Sequence, residues 1–338
     1  MRVIEALVSA GWLAVRAVLL CALCACDRGA SPSARTRPAA AHGTGNGLSS
    51  SPTLSALPAA SQVTDIPATG SAELVVPAAQ LYEPGDLSPG ERRPLLIFLH
   101  GLGASGKLAF DSLQLATLGA RERVFVLAPD GSLDGQKRRF WNAGPACCNF
   151  DRRDVDDVGR LTRLIEAWRS RANVDSNRVY VVGHSNGGFM THRLACALGD
   201  RIAAAASLAG AAPASDQACT GAKTLALLEV HGDADPIVRY EGGRVFDSPE
   251  LAPFPSAEQG FQAWGKRLGC TGAAVAGPAR DLDSRLPGAE TSVERYANCA
   301  SGSVELWTVH GGNHFVATEP RTFEAIWQFL AAHHAHHG

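Results

Sequence analysis

Short, wholly apolar runs alternate along this chain with stretches whose apolar residues return at every third or fourth position. The runs Leu95 to Leu99, Val124 to Ala128, Val179 to Val182 and Leu225 to Val230 are each bounded by turn residues. Being apolar at consecutive positions, they predict central parallel strands buried on both faces. Between the second and third, DRRDVDDVGRLTRLIEAWRSR places Val155, Val158, Leu161, Leu164, Ile165 and Trp168 at helical spacing. Its acidic first turn complements the positive end of a helix dipole. Strands alternating with helices predict an α/β fold, with a mostly parallel central sheet carrying helices on both faces. In such sheets ligands bind beyond the carboxyl ends of the strands, so the loops after the apolar runs are where chemistry belongs.

Both ends of the chain depart from that pattern. In MRVIEALVSAGWLAVRAVLLCALCAC, Arg2 and Arg16 precede an apolar stretch of signal-peptide length, too short to span a bilayer. Leu23, Cys24, Ala25 and Cys26 resemble a bacterial lipobox, in which Cys26 would be lipidated and become the mature N-terminus. Residues 1–26 are therefore read as a leader of lipoprotein type, with a plain secretory signal as the alternative. Residues 27–70 are dominated by Ala, Ser, Pro, Gly and Thr. They hold too few large apolar groups to offset the entropy of ordering and read as a flexible tether. The folded domain is expected over 71–332. The terminal HHAHHG, residues 333–338, reads as a frayed, solvated tail, and no metal is assigned to it.

Across 338 residues, 46% of them hydrophobic, there is material for one large core, and the formal net charge of -2 comes from interspersed signs. That balance offers no basic face for nucleic acid and none for an anionic membrane, so membrane contact is expected only through the lipid anchor. A small or neutral substrate follows. Export also changes what the cysteines mean, because an oxidising compartment permits structural disulfides. Beyond the leader stand Cys147, Cys148, Cys196, Cys219, Cys270 and Cys299. Cys270 is expected to pair with Cys299, closing a polar, irregular segment, and the adjacent Cys147 and Cys148 are expected to pair outward rather than with each other.

The strand run VYVV leads into GHSNGG and then FMTHRLACAL at helical spacing. Gly183, Ser185 and Gly187 make a G-x-S-x-G elbow, in which a sharp strand-to-helix turn presents a strained serine above the sheet. A serine hydroxyl needs a base, and this architecture supplies partners in the order Ser, acid, His. LLEVHGDADPIV offers Asp233 and Asp235, of which Asp235 is preferred as the carboxylate that fixes the imidazole tautomer. LWTVHGGNHFV offers His310 at the end of a strand run and His314 beyond a Gly-Gly-Asn turn, and the mobile approach favours His314 as the base.

The run LLIFLHGLGASGK raises a competing possibility. Gly101, Gly106 and Lys107 match a phosphate-loop frame, but Leu108 stands where a magnesium-binding Ser or Thr is required. The alternative is an oxyanion hole built from the backbone amides of Leu102 and Asn186, with Lys107 on a helix surface.

The segments HGLGASG, FWNAGPACC with DVDDVG, GHSNGGFMTHRLAC, HGDADPIV and GGNHF resemble the secreted esterase family that groups polyhydroxybutyrate depolymerases with feruloyl and acetylxylan esterases. They follow the family order over residues about 72 to 332. The resemblance implies an α/β-hydrolase fold, an acyl-enzyme mechanism without a cofactor, and catalytic roles for Ser185, Asp235 and His314. It also implies Trp141 as a cleft-lining, substrate-binding residue. The expected function is an exported serine esterase acting on a polyester, a feruloylated or acetylated glycan, or a small acyl ester. The alternative is a non-catalytic surface-binding lipoprotein on the same scaffold.

Overall fold

A computed structural model of the chain describes residues 61–69, 77–215, 219, 225–316 and 319–335. The expected leader with Cys26, most of the expected tether, and residues 336–338 of the tail lie outside the described residues. In chain order the elements are β1 (Gln62–Ile66), β2 (Ala79–Glu83), β3 (Arg93–Leu99), α1 (Gly106–Ser112), α2 (Leu115–Glu122), β4 (Phe125–Pro129), β5 (Ser132–Leu133), β6 (Arg139–Phe140), α3 (Asp157–Arg169) and β7 (Val174–His184). There follow α4 (Asn186–Leu198), β8 (Ala204–Leu208), β9 (Leu225–Gly232), α5 (Ala257–Arg267), β10 (Cys270–Ala276), β11 (Thr291–Cys299), β12 (Gly302–Val309) and α6 (Pro320–Ala331).

Among the described residues the main sheet runs in the order β1-β2-β4-β3-β7-β8-β9-β12-β11-β10. From β4 to β12 every neighbouring pair is parallel, and the outer strands on both sides are antiparallel. The predicted α/β-hydrolase architecture is thus present. Because side chains alternate across a strand, Leu95, Ile97 and Leu99 of β3 join a core with α3, α4 and α5. Leu96 and Phe98 join the opposite core, with α1, α2 and α6.

Local signals fix the ends of the helices. The Asp156 side chain accepts from the Gly159 amide to start α3, and Ser256 and Gln259 form a capping box at the start of α5. Ser105 caps α1 by accepting from the Leu108 amide. Lys107 then lies on the surface of α1 and pairs with Asp111 at 3.0 Å, as expected of a helix-surface lysine.

Three expectations need correction. Residues 62–66 fall within the stretch read as a tether, yet they form β1, paired antiparallel with β2. Backbone pairing on a sheet edge orders this segment without requiring it to fill a core. His333 and Ala335, read as part of a solvated tail, are tied to the domain instead. His333 Nδ1 donates to the Phe329 carbonyl at 2.8 Å, Tyr180 Oη donates to the His333 carbonyl at 3.0 Å, and the Ala335 amide donates to Asn177 O at 2.8 Å. The cysteines also pair differently. Cys270–Cys299 forms as expected, across β10 and β11, but Cys147 bonds to Cys148, and Cys196 bonds to Cys219. With those other four joined to one another, the adjacent pair has no outward partner, and both members are buried.

Candidate active site

The turn from β7 into α4 holds Ser185 at φ 57° and ψ -119°, a conformation that a non-glycine residue adopts only when its surroundings impose it. Backbone crowding supplies that constraint. A Cβ on Gly183 would lie 2.1 Å from the Gly187 carbonyl oxygen, and one on Gly187 would lie 2.1 Å from the Leu99 carbonyl oxygen. Both glycines of the motif are therefore required by close approach of main chain to main chain.

The structure brings Ser185, His314 and Asp235 together. Asp235 Oδ1 accepts the amides of Ile237 at 2.8 Å and Val238 at 3.0 Å, and Oδ2 accepts His314 Nδ1–H at 2.7 Å. With Nδ1 donating, His314 Nε2 is the acceptor for the Ser185 hydroxyl at 2.9 Å. Burial alone would raise the pKa of Asp235, but hydrogen bonding and attraction from His231 and His314 outweigh it and hold the carboxyl well below the usual carboxylate range. A fixed negative charge therefore stands behind an imidazole whose free lone pair faces the hydroxyl.

The two competing residues pair with each other instead. His310 Nδ1 donates to Asp233 Oδ2 at 2.8 Å, the Gly311 amide donates to Asp233 Oδ1 at 2.6 Å, and the Ser292 hydroxyl lies 3.0 Å from His310 Nε2. This cluster is more exposed than the first, and it ties the loop leading to His314 to the loop carrying Asp235.

Asn186 follows the serine directly, and Leu102 follows Gly101 in the HGLG loop. That loop runs beside Ser185, since a Cβ on Gly101 would lie 3.4 Å from Ser185 Cβ. Asn186 opens α4, where the first amides of a helix have no intrahelical partner. Its side chain is clamped, with Oδ1 accepting the Trp141 amide at 2.7 Å and Nδ2 donating to the Trp141 carbonyl at 2.9 Å. Asn186 Nδ2 also approaches Cys147 Sγ at 3.5 Å, so the Cys147–Cys148 bridge lies against the Asn186 side chain.

Trp141 does not line the cleft. It is 1% exposed, and its indole N–H donates to the His100 carbonyl at 2.9 Å, so its role is to brace the loop beneath the site. A large flat side chain with one donor finds both its apolar contacts and its acceptor there.

Two further histidines escaped the sequence reading. His184, the residue before the serine, donates from Nε2 to the His314 carbonyl at 2.8 Å and stacks on Phe315. His100 donates from Nδ1 to the Gly101 carbonyl at 2.8 Å and accepts the Gly131 amide on Nε2 at 2.9 Å. Burial lowers both to about 4, with repulsion from His314 adding to the effect at His184. An unfolded histidine takes up its proton near pH 6.5, so between about 6.5 and 4 the unfolded chain binds protons that the native state refuses. Stability from these residues is fully present above pH 6.5 and is lost as pH falls through that window. The urea midpoint is accordingly expected to be lower at pH 5 than at pH 7, with a smaller difference in His184→Gln. Equal midpoints at the two pH values would contradict this.

Comparison with known proteins adds to the geometry. A family model described as phospholipase/carboxylesterase matches residues 88–248. Feruloyl esterase B of Piromyces equi is 31% identical over 252 residues, which cover 73% of this chain and 44% of that protein. The chain thus spans less than half the length of that relative. The putative esterase NocK of Nocardia uniformis subsp. tsuyamanensis is 31% identical over 239 residues, covering 68% of this chain and 67% of its own. Among solved structures, an acetyl xylan esterase from Aspergillus awamori superposes with a TM-score of 0.60 at 13% identity, covering 80% of this chain and 99% of that one. That last likeness is one of fold.

Proposed function

The chain belongs to the phospholipase/carboxylesterase family and is a serine ester hydrolase, and from that premise we propose that Ser185, His314 and Asp235 carry the hydrolysis through an acyl-enzyme in an exported protein. The observation that supports this most directly is the unbroken chain from Ser185 Oγ to His314 Nε2 at 2.9 Å and from His314 Nδ1 to Asp235 at 2.7 Å. Each contact already has the donor and acceptor that the first step needs, which disfavours a binding-only role.

His314 Nε2 takes the hydroxyl proton as Ser185 Oγ attacks the ester carbonyl carbon. The carbonyl oxygen becomes an oxyanion, received by the amides of Leu102 and Asn186. One such donor is worth about 3 kcal/mol in the transition state. His314 then gives the proton to the leaving alcohol, and water repeats the sequence on the acyl-enzyme to release the acid. Asp235 remains ionised throughout, stabilising the imidazolium each time it forms. The protein's own residues suffice for every proton transfer.

For the acyl group, similarity to a feruloyl esterase favours a hydroxycinnamoyl ester over an acetylated glycan or a polyester. Rates on methyl ferulate, acetylated xylan and hydroxybutyrate oligomers test this directly. Methyl ferulate is expected to lead in kcat/KM by about tenfold or more, a margin that a few pocket contacts can supply. Faster turnover of either other substrate would overturn the assignment. Export and anchoring rest on the leader sequence and Cys26, and fatty-acid labelling of the intact chain, lost in Cys26→Ser, checks the anchor.

A further inference from the structure

Glu229 and His231 lie two residues apart on β9, on the same face as Leu225 and Leu227, the face covered by α4 and α5. Both are buried. Ionisable groups are seldom left inside a core without partners, and here the partners can be followed atom by atom.

The chain starts at Trp264, whose indole N–H can only donate and does so to His192 Nδ1 at 3.0 Å. His192 must therefore carry its proton on Nε2, which donates to Glu229 Oε2 at 3.0 Å. The other carboxylate oxygen, Oε1, faces His231 Nδ1 at 3.1 Å. His231 Nε2 faces the Val238 carbonyl at 2.7 Å, and a carbonyl can only accept. Both ring nitrogens of His231 thus point at acceptors. Asp235 Oδ2 stands 3.6 Å from His231 Nε2, too far for a good hydrogen bond but close enough for strong attraction. A cavity of about 10 Å³ beside Glu229, His192 and Trp264 has room for at most a single water, so solvent does little to screen these charges.

We propose that His231 is a standing imidazolium, fixed in that state by Glu229, and that it acts as a positioning residue for Asp235. Its Nε2 faces Oδ2, the oxygen that also accepts His314 Nδ1–H, so its charge holds that carboxylate ionised and in place to orient His314. Burial by itself would favour neutral His231, but the two carboxylates outweigh it and push the group up to about 10. The proposal rests on Asp235 being the catalytic carboxylate.

The titratable groups around this pair come from every element packed on it. Glu229 lies on the same strand. Asp235 follows on the loop, and the Tyr240 ring meets His231 edge-on, with its hydroxyl held by Thr308 of β12. His192 of α4 acts through Glu229, His314 acts through Asp235, and His184 of β7 faces His314.

Glu229→Gln isolates the charge. The glutamine oxygen must accept His192 Nε2–H, so its amide nitrogen donates to His231 Nδ1. His231 becomes neutral with its proton on Nε2, and no buried polar atom loses a partner. Imidazole nitrogen NMR at pH 7 is expected to show both ring nitrogens of His231 protonated in the native protein and only Nε2 protonated in the variant. Because the charge that holds Asp235 in place is gone, kcat is expected to fall by about threefold or more, with KM changed less than about twofold. A native His231 with one bare ring nitrogen at pH 7 overturns the proposal without needing any variant to fold. So does a Glu229→Gln kcat equal to that of the native protein. If instead Asp235→Asn keeps full activity, the catalytic reading has failed, while the NMR result on His231 still stands or falls alone.

Discussion

Ser185→Ala is expected to lower kcat for a p-nitrophenyl ester on the order of 10⁵- to 10⁶-fold, because without the hydroxyl no covalent route remains. The protein itself should survive the change. The strained backbone at this position, φ 57°, is imposed by the main-chain contacts of Gly183 and Gly187 and not by the serine side chain, so alanine inherits the same conformation. KM is expected to stay within about threefold, since the hydroxyl adds little to ground-state binding. Residual turnover above the uncatalysed rate would come from the amides of Leu102 and Asn186, which the substitution leaves in place. Fluorophosphonate labelling supplies a second readout, with one adduct on native Ser185 and none on the variant. A variant that keeps its rate after contaminating esterases are excluded removes Ser185 from the mechanism.

The parts of the molecule legible in the sequence are those in which a local pattern carries a global constraint. The runs 95–99, 124–128, 179–182 and 225–230 were readable because strands buried on both faces are apolar at every position, and they became β3, β4, β7 and β9. β8 carried no such signal. Its sequence AAASL has weak strand preference and is held extended by β7 and β9 on either side. The proposed nucleophile was legible because the spacing of Gly183, Ser185 and Gly187 records two close backbone approaches. The proposed acid was less so, since Asp233 and Asp235 share one loop and the tertiary pairings, Asp233 with His310 and Asp235 with His314, separate them.

Trp141 shows the opposite limit. A resemblance can place an aromatic residue near a site, but whether the ring faces solvent or the core depends on neighbours far along the chain, here His100 and Asn186. The Cys147–Cys148 bridge likewise became evident only once Cys196 and Cys219 were seen to take each other. The Glu229–His231 pair did leave a trace. An acid inside the apolar run LALLEV must find a buried partner, and a histidine two positions later lies on the same strand face.

Asp235→Asn should be almost as damaging as loss of the serine, by a different route. Two amides, those of Ile237 and Val238, donate to Oδ1, so an asparagine must keep its oxygen there and turn its NH₂ toward His314. His314 Nδ1 would then have to accept, which moves the ring proton to Nε2, the atom that faces Ser185 at 2.9 Å. A protonated Nε2 cannot take the serine proton. The expected fall in kcat is about 10⁴-fold, the size seen when a triad imidazole is held in the wrong tautomer, with KM little changed. Asp233→Asn is the matched control, since among the described residues that carboxylate is hydrogen-bonded by His310 and the Gly311 amide on a more exposed surface, and a change of no more than about threefold is expected. Stopped-flow burst kinetics would show the asparagine variant slow in acylation itself, because the defect lies in activating the nucleophile. An active Asp235→Asn beside an inactive Asp233→Asn would move the acid role to the Asp233–His310 pair and leave His314 without an orienting partner.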